Sequence, residues 1–586
     1  MKIGDAKDYF ALVDDSAQSG DKLSPSDIEN GLALVANSLP LYLGERSRYT
    51  SVILQRFVYT SEDRCSTKAC FLALSIVKAF GRLIDNASDE LVTEKAIHEL
   101  LQFALSLIKA ASDNESQSTS TSRGSSRSQS NDLSNGMDAC NEALTCVANA
   151  MLLQPASREY AGKSQGFEAL TEILGMLTDA DATTAFLCGR CLLFSLISEE
   201  AAKHCVEKLG LQSVLARVVS VFVDNSRDNA DSSNRFTPNQ ATAELLKAAM
   251  SLCVYFQRGI HGSQIPAQSE MRDDSLPPEN TVDFAELLSV VLKLLRVLEP
   301  SSGHLADSAK QAVSIALNFP TLRPDPIKDI WFPPNDRWIN VDCIVELFKA
   351  TIDHIFSKAS LASSSSASET TQTDSIRNSA LLCASEAYQN ELTPLTLVLV
   401  RLMTEHQDAR LRVFHQVYPP DVEIDYTLLP EDRPGLASQV VRLMRVPQGG
   451  MLQGAMGDFL LTVLGHDIKQ FIMAVGYGNA AGYMLARGIE LPKDALDYAK
   501  GMVSENDQMV DPVTGRNLNQ TDIDKELAAM TDEEKEREAE RLFVLFERLN
   551  KTGIIKTTNP VRAAAESGRF KELPDSPGKD GGEESD

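Results

Sequence analysis

The stretch EKAIHELLQFALSLIKAA, from Glu94 to Ala111, decides the fold class of this chain. Its apolar residues recur at intervals of three and four, at Ile97, Leu100, Leu101, Ala104, Leu105 and Ile108. This spacing places one apolar stripe along an α-helix. The same period recurs in NEALTCVANAMLL, QGFEALTEILGML, TAELLKAAMSLCVYF, FAELLSVVLKLLRVL, DCIVELFKATIDHIF and PLTLVLVRLM. The sequence therefore predicts an all-α protein.

The helical segments come in pairs or triplets separated by short polar breaks. There is no succession of β-branched strands with hairpin turns, and no strand–helix alternation of the kind that builds a parallel sheet. Amphipathic helices repeating every 40 to 47 residues or so are typical of HEAT and armadillo repeats, whose units bury their apolar stripes only by stacking. We expect an armadillo/HEAT-like α-solenoid.

The charge of the chain limits its partners. Its 586 residues carry a formal net charge of −26, which repels nucleic-acid phosphates and anionic lipids. The N-terminal sequence does not resemble a signal peptide, and no apolar run approaches the roughly 18 residues of a membrane span. The ten cysteines are scattered through apolar helical stretches, as expected of reduced core residues. A cytoplasmic monomer with no nucleic-acid partner and no membrane insertion is the expectation.

Composition divides the chain into four segments. We predict the solenoid over 1–490, a polar connector over 491–530, an amphipathic helix over 531–552 and a disordered acidic tail over 553–586. Two Ser/Thr-rich insertions, near 112–136 and 360–375, are expected to form flexible loops within the solenoid.

The predicted C-terminal helix lies in MTDEEKEREAERLFVLFERLNKTG, from Met530 to Gly553. Thr531 and Glu534 have the spacing of a capping box, and Gly553 suits the C-terminal end. Its apolar face contains Leu542, Phe543, Phe546 and Leu549. Such a helix either docks back on the solenoid or grips a partner, and the sequence leaves both open.

The glycine-rich stretch VGYGNAAGYMLARG superficially resembles a dinucleotide loop. Its spacing is GxGxxxG rather than GxGxxG, the residues before it continue a helical pattern, and no βαβ unit surrounds it. We interpret Gly476 and Gly478, on either side of Tyr477, as a tight break between two helices. Gly482 is expected to allow close approach of the following helix, and Asn479 to cap that helix.

Catalytic and metal-binding motifs are not recognisable. The pair Cys188 and Cys191 forms a CxxC without a second matching pair or a thioredoxin-like context, so core packing is the preferred interpretation. The histidines fall singly, and there is no GxxxxGK[ST] phosphate loop. We expect no bond-making catalysis, no cofactor and no metal.

The remaining candidates point to binding. Asn149 and Asn318 sit at apolar helical ends, where an inward asparagine can hydrogen-bond a peptide along the concave groove of an armadillo stack. A helix-end cap is the alternative for each. Basic residues that would line the groove are Lys78, Arg82, Arg190, Arg442 and Arg445. In so acidic a chain, cations in an apolar groove suit the C-terminal carboxylate of a partner.

Three blocks occur together near the C-terminal end: QFIMAVGYGNAAGYMLARG (Gln470–Gly488), DPVTGR (Asp511–Arg516) and MTDEEKEREAERLFVLFERL (Met530–Leu549). Their order and spacing closely resemble the synembryn family (resistance to inhibitors of cholinesterase-8 type). Members are cytosolic chaperones and guanine-nucleotide exchange factors for the α subunits of heterotrimeric G proteins (Gα). Weaker likeness covers most of 137–549, and the Ser-rich insertions resemble those of a fungal member.

The resemblance implies a solenoid whose concave face captures the C-terminal helix of GDP-bound or nucleotide-free Gα, releases GDP, and assists Gα folding. It implies that Asn149 contacts this Gα tail, that Arg82 lies near a basic family position, and that the helix over 531–552 engages the Gα nucleotide-binding domain. Recruitment to the plasma membrane would then occur through Gα.

Two departures from the family pattern stand out. Basic residues before the VRLM segment are replaced by Ala437, Ser438 and Gln439, which questions part of the tail-binding set. The acidic phosphorylatable stretch is reduced to weak patterns at Ser504 and Thr531, the candidate phosphosites.

Two other functions are alternatives to exchange. One is a general armadillo-type adaptor or transport receptor without exchange activity. The other is a dinucleotide oxidoreductase, which predicts saturable binding of NAD.

Overall fold

The computed structural model describes residues 24–37, 46–59, 66–81, 89–118, 126–163, 165–177, 181–225, 235–261, 284–298, 305–319, 325–364, 373–422, 425, 428–446, 450–489 and a few positions between 530 and 541. Within these residues the regular structure is helical, with no strand assigned. The prediction of an all-α solenoid is confirmed.

The helices fall into two compact units. The first comprises Met1–Glu423 and Pro434–Ile468, and the second comprises Ile424–Arg433 and Lys469–Asp586. The first unit contains α1 Pro25–Asn37, α2 Arg46–Ile53, α3 Thr67–Gly81, α4 Glu94–Ser118, α5 Ser126–Leu153, α6 Arg158–Lys163, α7 Gly166–Met176, α8 Ala182–Ser195, α9 Glu199–Glu207, α10 Leu211–Asn225, α11 Pro238–His261, α12 Ala285–Val297, α13 Asp307–Leu317, α14 Asp325–Trp331, α15 Ile339–Ser364, α16 Thr373–Glu405, α17 Gln407–Val417, α18 Leu436–Met444 and α19 Gly450–Val463. A π-helix at Leu54–Val58 and 3₁₀ turns at Asp89–Val92 and Pro155–Ser157 connect some of them. The helices α20 Ile468–Val475 and α21 Tyr477–Arg487 follow.

The first unit is built from two rows of helices. In the first row, α3, α5, α8, α11, α13, α16 and α19 pack in sequence, each against the next. In the second row, α4, α7, α10, α12 and α15 pack in the same way. Each helix of the second row also packs on a neighbour in the first, as in the pairs α4–α5, α12–α13 and α15–α16. This arrangement buries apolar stripes between neighbouring repeats, as expected of a solenoid.

The core lies between the rows. Leu100, Leu101 and Ala104 of α4 are fully buried, as the period of the opening stretch predicts. The largest fully buried side chains include Trp331, Phe348 and Phe459.

Helix ends in the first unit are satisfied by nearby polar side chains. Asp181 caps α8 by accepting from the amides of Thr183 and Thr184, and Ser198 caps α9 by accepting from Ala201. An arginine satisfies the C-terminal end of α7. The guanidinium of Arg217 donates to the carbonyls of Leu174, Gly175 and Leu177 at the end of α7, at 2.8–3.0 Å. Because the last carbonyls of a helix lack partners within the helix, these bonds fix its C-terminal end to the next repeat.

Helix ends reach into both predicted Ser-rich insertions. We expected flexible loops near 112–136 and 360–375. The structure continues α4 to Ser118 and starts α5 at Ser126, and it continues α15 to Ser364 and starts α16 at Thr373. Long helices therefore extend into both serine-rich stretches.

The break between α20 and α21 accounts for one of the glycines in the glycine-rich stretch. Gly476 has φ = 81°, a conformation that side-chain-bearing residues rarely adopt, and it ends α20 and precedes α21. Gly478, by contrast, lies inside α21 without a positive φ, so it is not needed for the break. No described atom would lie within 4 Å of a Cβ at Gly478 or at Gly482, so the predicted close approach at Gly482 is not observed.

Asn479 caps a different helix from the one predicted. It is the third residue of α21, and its Nδ2 donates to the carbonyl of Val475 at 2.7 Å. The side chain therefore satisfies the end of α20 rather than the start of α21. The second unit includes Lys469–Asp586, so the glycine-rich stretch belongs to that unit. The sequence predicts a solenoid that extends to residue 490.

Candidate partner-binding surface

A cleft between α3 and α5 brings two predicted site residues together. Lys78 and Gly81 of α3 form one wall, Cys146 and Asn149 of α5 form the other, and Leu91 of the following 3₁₀ turn closes it. Glu142, Cys146 and Asn149 lie on one face of α5, at intervals of four and three residues. The sequence placed Lys78 and Asn149 in one groove, and the structure does bring them into one cleft.

Asn149 has an unsatisfied amide. Its Nδ2 is buried and donates to no acceptor in the described part of the chain. A buried donor without a partner costs about 1–3 kcal/mol. This donor is therefore available to an acceptor from outside the described residues.

Lys78 is paired within the chain. Its Nζ lies 2.5 Å from the carboxylate of Glu142, and only 19% and 11% of the two side chains are exposed. The predicted groove cation is therefore compensated by an internal carboxylate that joins α3 to α5.

Arg190, the third predicted residue, is also compensated. It is bound to the carboxylate of Glu244 on α11, whose side chain is only 3% exposed and which also accepts from Lys247 at 3.0 Å. This pair joins α8 to α11, the next contact along the first row. Arg190 is thus a structural partner of Glu244 and not a cation without a counterion.

An aromatic and basic ladder runs along the half-exposed face of α8. The guanidinium of Arg190 lies 4.8 Å from the ring centroid of Phe186 and 5.8 Å from that of Phe194. Phe236 stacks on Phe186 at 3.8 Å, and Arg158 lies over Phe194 at 5.2 Å. Each such contact contributes roughly 0.5–2 kcal/mol, and together the contacts hold the phenylalanine rings in one orientation. Sequence analysis did not select these phenylalanines, because spacings of four and eight residues also suit core positions.

Asn318 forms a helix cap. Its Nδ2 donates to the carbonyl of Ser314 at 2.7 Å, and the residue is the C-cap of α13. Of the two interpretations offered by the sequence, the structure favours the cap for Asn318, although it too lies on the first row.

The last two predicted groove cations lie elsewhere. Arg442 belongs to α18 and Arg445 is its C-cap residue. This helix packs on α15 and α19, and the guanidinium of Arg442 lies 5.7 Å from the ring centroid of Phe356 on α15. Gln439 of the same helix donates to Asp353 at 2.9 Å. These two arginines therefore lie on or beside a helix that belongs to neither row, whereas Lys78, Asn149, Arg190 and Asn318 lie on the first row.

Several predicted residues lie outside the described residues. They are Arg82, Ser504, Leu542, Phe543, Phe546 and Leu549. Thr531 is described, and the capping box is observed: the amide of Thr531 donates to Glu534 at 3.0 Å, and the amide of Glu534 donates to Thr531 Oγ1 at 3.3 Å. The backbone and side-chain hydrogen bonds that Thr531 makes to the Glu534 carboxyl lower the pKa of Glu534, with the backbone bond as the largest cause.

The thiols of the CxxC are buried core groups. Cys188 and Cys191 are fully buried, and burial raises the pKa of Cys191 to about 12 and that of Cys188 well above its usual value. A thiol that does not ionise is a poor nucleophile and a poor ligand, which supports core packing. In the described part of the chain no group of three or more His, Cys, Asp or Glu side chains is placed to hold a metal. None of the described helices has both the length and the apolar character of a membrane span.

The two packed rows define a protein of the helical-repeat class, with a cleft that presents an unpaired amide on one row. The sequence profile described as "Guanine nucleotide exchange factor synembryn" matches residues 73–569. Because this match covers most of the chain, the protein belongs to the synembryn family.

Individual relatives are more distant. Chaperone ric-8 of Caenorhabditis elegans is 29% identical over 170 residues, which are 28% of this chain and 30% of that protein. Chaperone Ric-8A of Danio rerio is 30% identical over 182 residues, and that of Mus musculus is 31% identical over 177 residues. Each of these two alignments covers 28% of this chain and 32% of the relative. The aligned parts therefore span less than a third of the curated relatives.

Proposed function

We propose that this chain is a guanine-nucleotide exchange factor and folding chaperone for heterotrimeric G-protein α subunits. Membership of the synembryn family supports the activity. The observation that supports this binding site is the Nδ2 of Asn149 in the α3–α5 cleft, because this buried donor has no acceptor among the described residues and is available to one from outside them. The terminal segment of Gα is the proposed source of that acceptor.

The aromatic and basic ladder supports a helical partner. Phe186, Phe194 and the exposed Leu152 and Ile197 present apolar surface on the same row as Asn149, with Leu152 54% and Ile197 41% exposed. An amphipathic helix that lays its apolar face on such a surface is a common mode of peptide recognition. We propose that the C-terminal helix of Gα lies on this row with its end in the α3–α5 cleft.

Exchange by this route requires no bond-making chemistry and no cofactor. If the chain binds empty Gα more tightly than GDP-bound Gα, then GDP and the chain weaken each other's binding by the same factor. Converting a population that is mostly loaded into one that is mostly empty requires about 5.5 kcal/mol of differential affinity. A helix seated on the first row, together with a second contact from the helix over 531–552, is the proposed source. We further propose that the chain acts as a cytoplasmic monomer and reaches the plasma membrane through Gα.

Release of labelled GDP from a panel of purified Gα subunits tests the proposal. We expect faster release from at least one Gα in the presence of the chain, and stable capture of GDP-bound or empty Gα but not of GTP-bound Gα. Equal capture of both nucleotide states with unchanged release would instead support a general adaptor.

A further inference from the structure

Three cations on the first row are each paired with a glutamate from the neighbouring helix. Glu142 of α5 holds Lys78 of α3, Glu244 of α11 holds Arg190 of α8, and Glu391 of α16 lies 3.3 Å from Lys310 of α13. Glu244 and Glu391 are 3% exposed at the side chain, and Glu142 is 11% exposed. The row therefore supplies its own carboxylates at the contacts between its helices.

The first of these pairs lies at a cleft that also contains a donor without a partner among the described residues. Lys78 lines the same cleft as Asn149, whose Nδ2 has no partner among the described residues. Glu142 lies two turns before Asn149 on the same face of α5, about 10 Å away along the helix axis. Glu244 and Glu391 also accept from other donors, Lys247 and the amide of Leu305 respectively, so they are held more firmly.

We propose that Glu142 is an internal competitor for the partner's terminal carboxylate. Glu142 occupies Lys78 in the free protein, and a partner carboxylate that enters the cleft takes over this ammonium group by displacing Glu142. This inference rests on the proposed function, because it assigns a regulating residue to the same binding site.

Replacement of one carboxylate by another at Lys78 differs electrostatically from the formation of a new ion pair. A free lysine would gain one ion pair when the partner binds, whereas here one carboxylate replaces another and the number of ion pairs does not change. The displaced Glu142 is left partly buried beside a second negative charge, which is unfavourable in a medium of low dielectric constant. Glu142 therefore lowers the affinity of the cleft for a partner with a charged C-terminal carboxylate. Binding then depends more on the contacts that the rest of the partner makes.

The variant Glu142→Gln tests the proposal with two peptides. Both reproduce the C-terminal helix of a Gα subunit, one with a free carboxylate and the other with a C-terminal amide. We expect E142Q to bind the free-acid peptide at least five-fold more tightly than the wild-type chain does, with unchanged affinity for the amide. The double variant Lys78→Met with E142Q should lose this gain, because no cation is left for the carboxylate.

A matched control removes one negative charge outside the cleft. Asp224 on α10 pairs with Lys293 on α12 in the second row at 2.5 Å, and D224N changes the net charge as E142Q does. We expect D224N to bind both peptides like the wild-type chain. An equal gain in D224N would show that overall charge and not the cleft is responsible, and would overturn the proposal.

The wild-type chain provides a second measurement that needs no folded variant. Because the incoming carboxylate replaces Glu142 and the number of ion pairs stays the same, the wild-type chain should bind the free-acid peptide no more tightly than the amide peptide. A wild-type preference for the free acid of five-fold or more, or an E142Q affinity for the free-acid peptide that is unchanged or weaker, would overturn the role of Glu142. If the wild-type chain binds neither peptide and releases no GDP from any Gα, the proposed function itself fails.

Discussion

Two asparagines at the ends of apolar helical stretches differ in what their side chains do. Asn318 donates to the carbonyl of Ser314 and ends α13, whereas the Nδ2 of Asn149 is buried without an acceptor among the described residues. Their sequence contexts, VANAML and ALNFP, do not reveal this difference. It arises because Asn149 lies within α5, where the backbone carbonyls are already used, and Asn318 lies at a helix end.

This contrast predicts opposite effects of alanine at the two positions. In Asn149→Ala, removal of the unsatisfied donor should leave the free energy of unfolding unchanged or raise it by about 1 kcal/mol. The same substitution should weaken Gα binding and slow GDP release. In Asn318→Ala, the lost cap should lower stability by about 1 kcal/mol with little effect on binding. Thermal unfolding and GDP release of both variants provide the comparison, and a large loss of stability in N149A would contradict the role assigned to it.

The capping box at Thr531 predicts a pH dependence. Hydrogen bonds from Thr531 lower the pKa of Glu534 below its ordinary value of 4.5. The ionised carboxylate therefore stabilises the helix start at pH values above 4.5, and this contribution is lost as the pH falls through the lowered pKa. In a peptide of residues 530–553, helicity followed by circular dichroism should fall in this acidic window more in the native sequence than in Glu534→Gln. Identical pH profiles would exclude the contribution.

At the scale of the helices, the contact between α8 and α11 depends on one residue without a side chain. A Cβ at Gly189 would lie 3.0 Å from the amide nitrogen of Leu245 and 3.1 Å from the carbonyl carbon of Glu244. These are backbone atoms of α11, which cannot move aside as a flexible side chain would. Glycine is therefore required here for the close approach of two first-row helices, and the same approach places Glu244 beside Arg190.

Gly189→Ala should consequently separate α8 from α11. We expect the free energy of unfolding to fall by about 1–3 kcal/mol, as for other overpacked contacts. Gly175→Ala is the matched control, because a Cβ at Gly175 of α7 would meet no atom within 4 Å. There the reduced backbone freedom of alanine should stabilise the helix by roughly 0.5 kcal/mol. Chemical denaturation of both variants checks the prediction, which fails if G189A is as stable as G175A.

At the scale of the whole molecule, the two rows of the first unit form the solenoid, and the proposed second contact comes from the chain after Met530. The rows are stabilised by contacts between successive repeats, and none of the contacts described between these helices requires residues beyond 530. Removal of the C-terminal helix should therefore separate its role in exchange from the stability of the rows.

Deletion of the chain from Thr531 onward should slow GDP release and leave the thermal unfolding of the rows unchanged. The expected slowing of GDP release reflects loss of the second contact with Gα, because the α3–α5 cleft is still present in the shortened chain. A deletion of residues 553–586 alone serves as the control for loss of acidic sequence, and should retain exchange. Unchanged GDP release after the longer deletion would refute the second contact.

The sequence by itself determined the all-α class, the apolar stripes, the capping box at Thr531 and the family, because each follows from local spacing or from contiguous motifs. The expectation that the cysteines are core residues holds for seven of the nine described ones, whereas Cys343 is half-buried and Cys383 is exposed. The break at Gly476 could be predicted for the same reason, whereas Asn479 and Gly482 could not, because their roles depend on which group lies opposite. Only the tertiary structure decided that Lys78 and Arg190 are held by Glu142 and Glu244, which are 64 and 54 residues away in the chain. It also placed Arg442 on α18, which packs on α19 and α15 but is not one of the first-row helices. Local periodicity specifies which face of a helix is buried, but the partner of a charge is set by the packing of distant helices, which no short stretch of sequence contains.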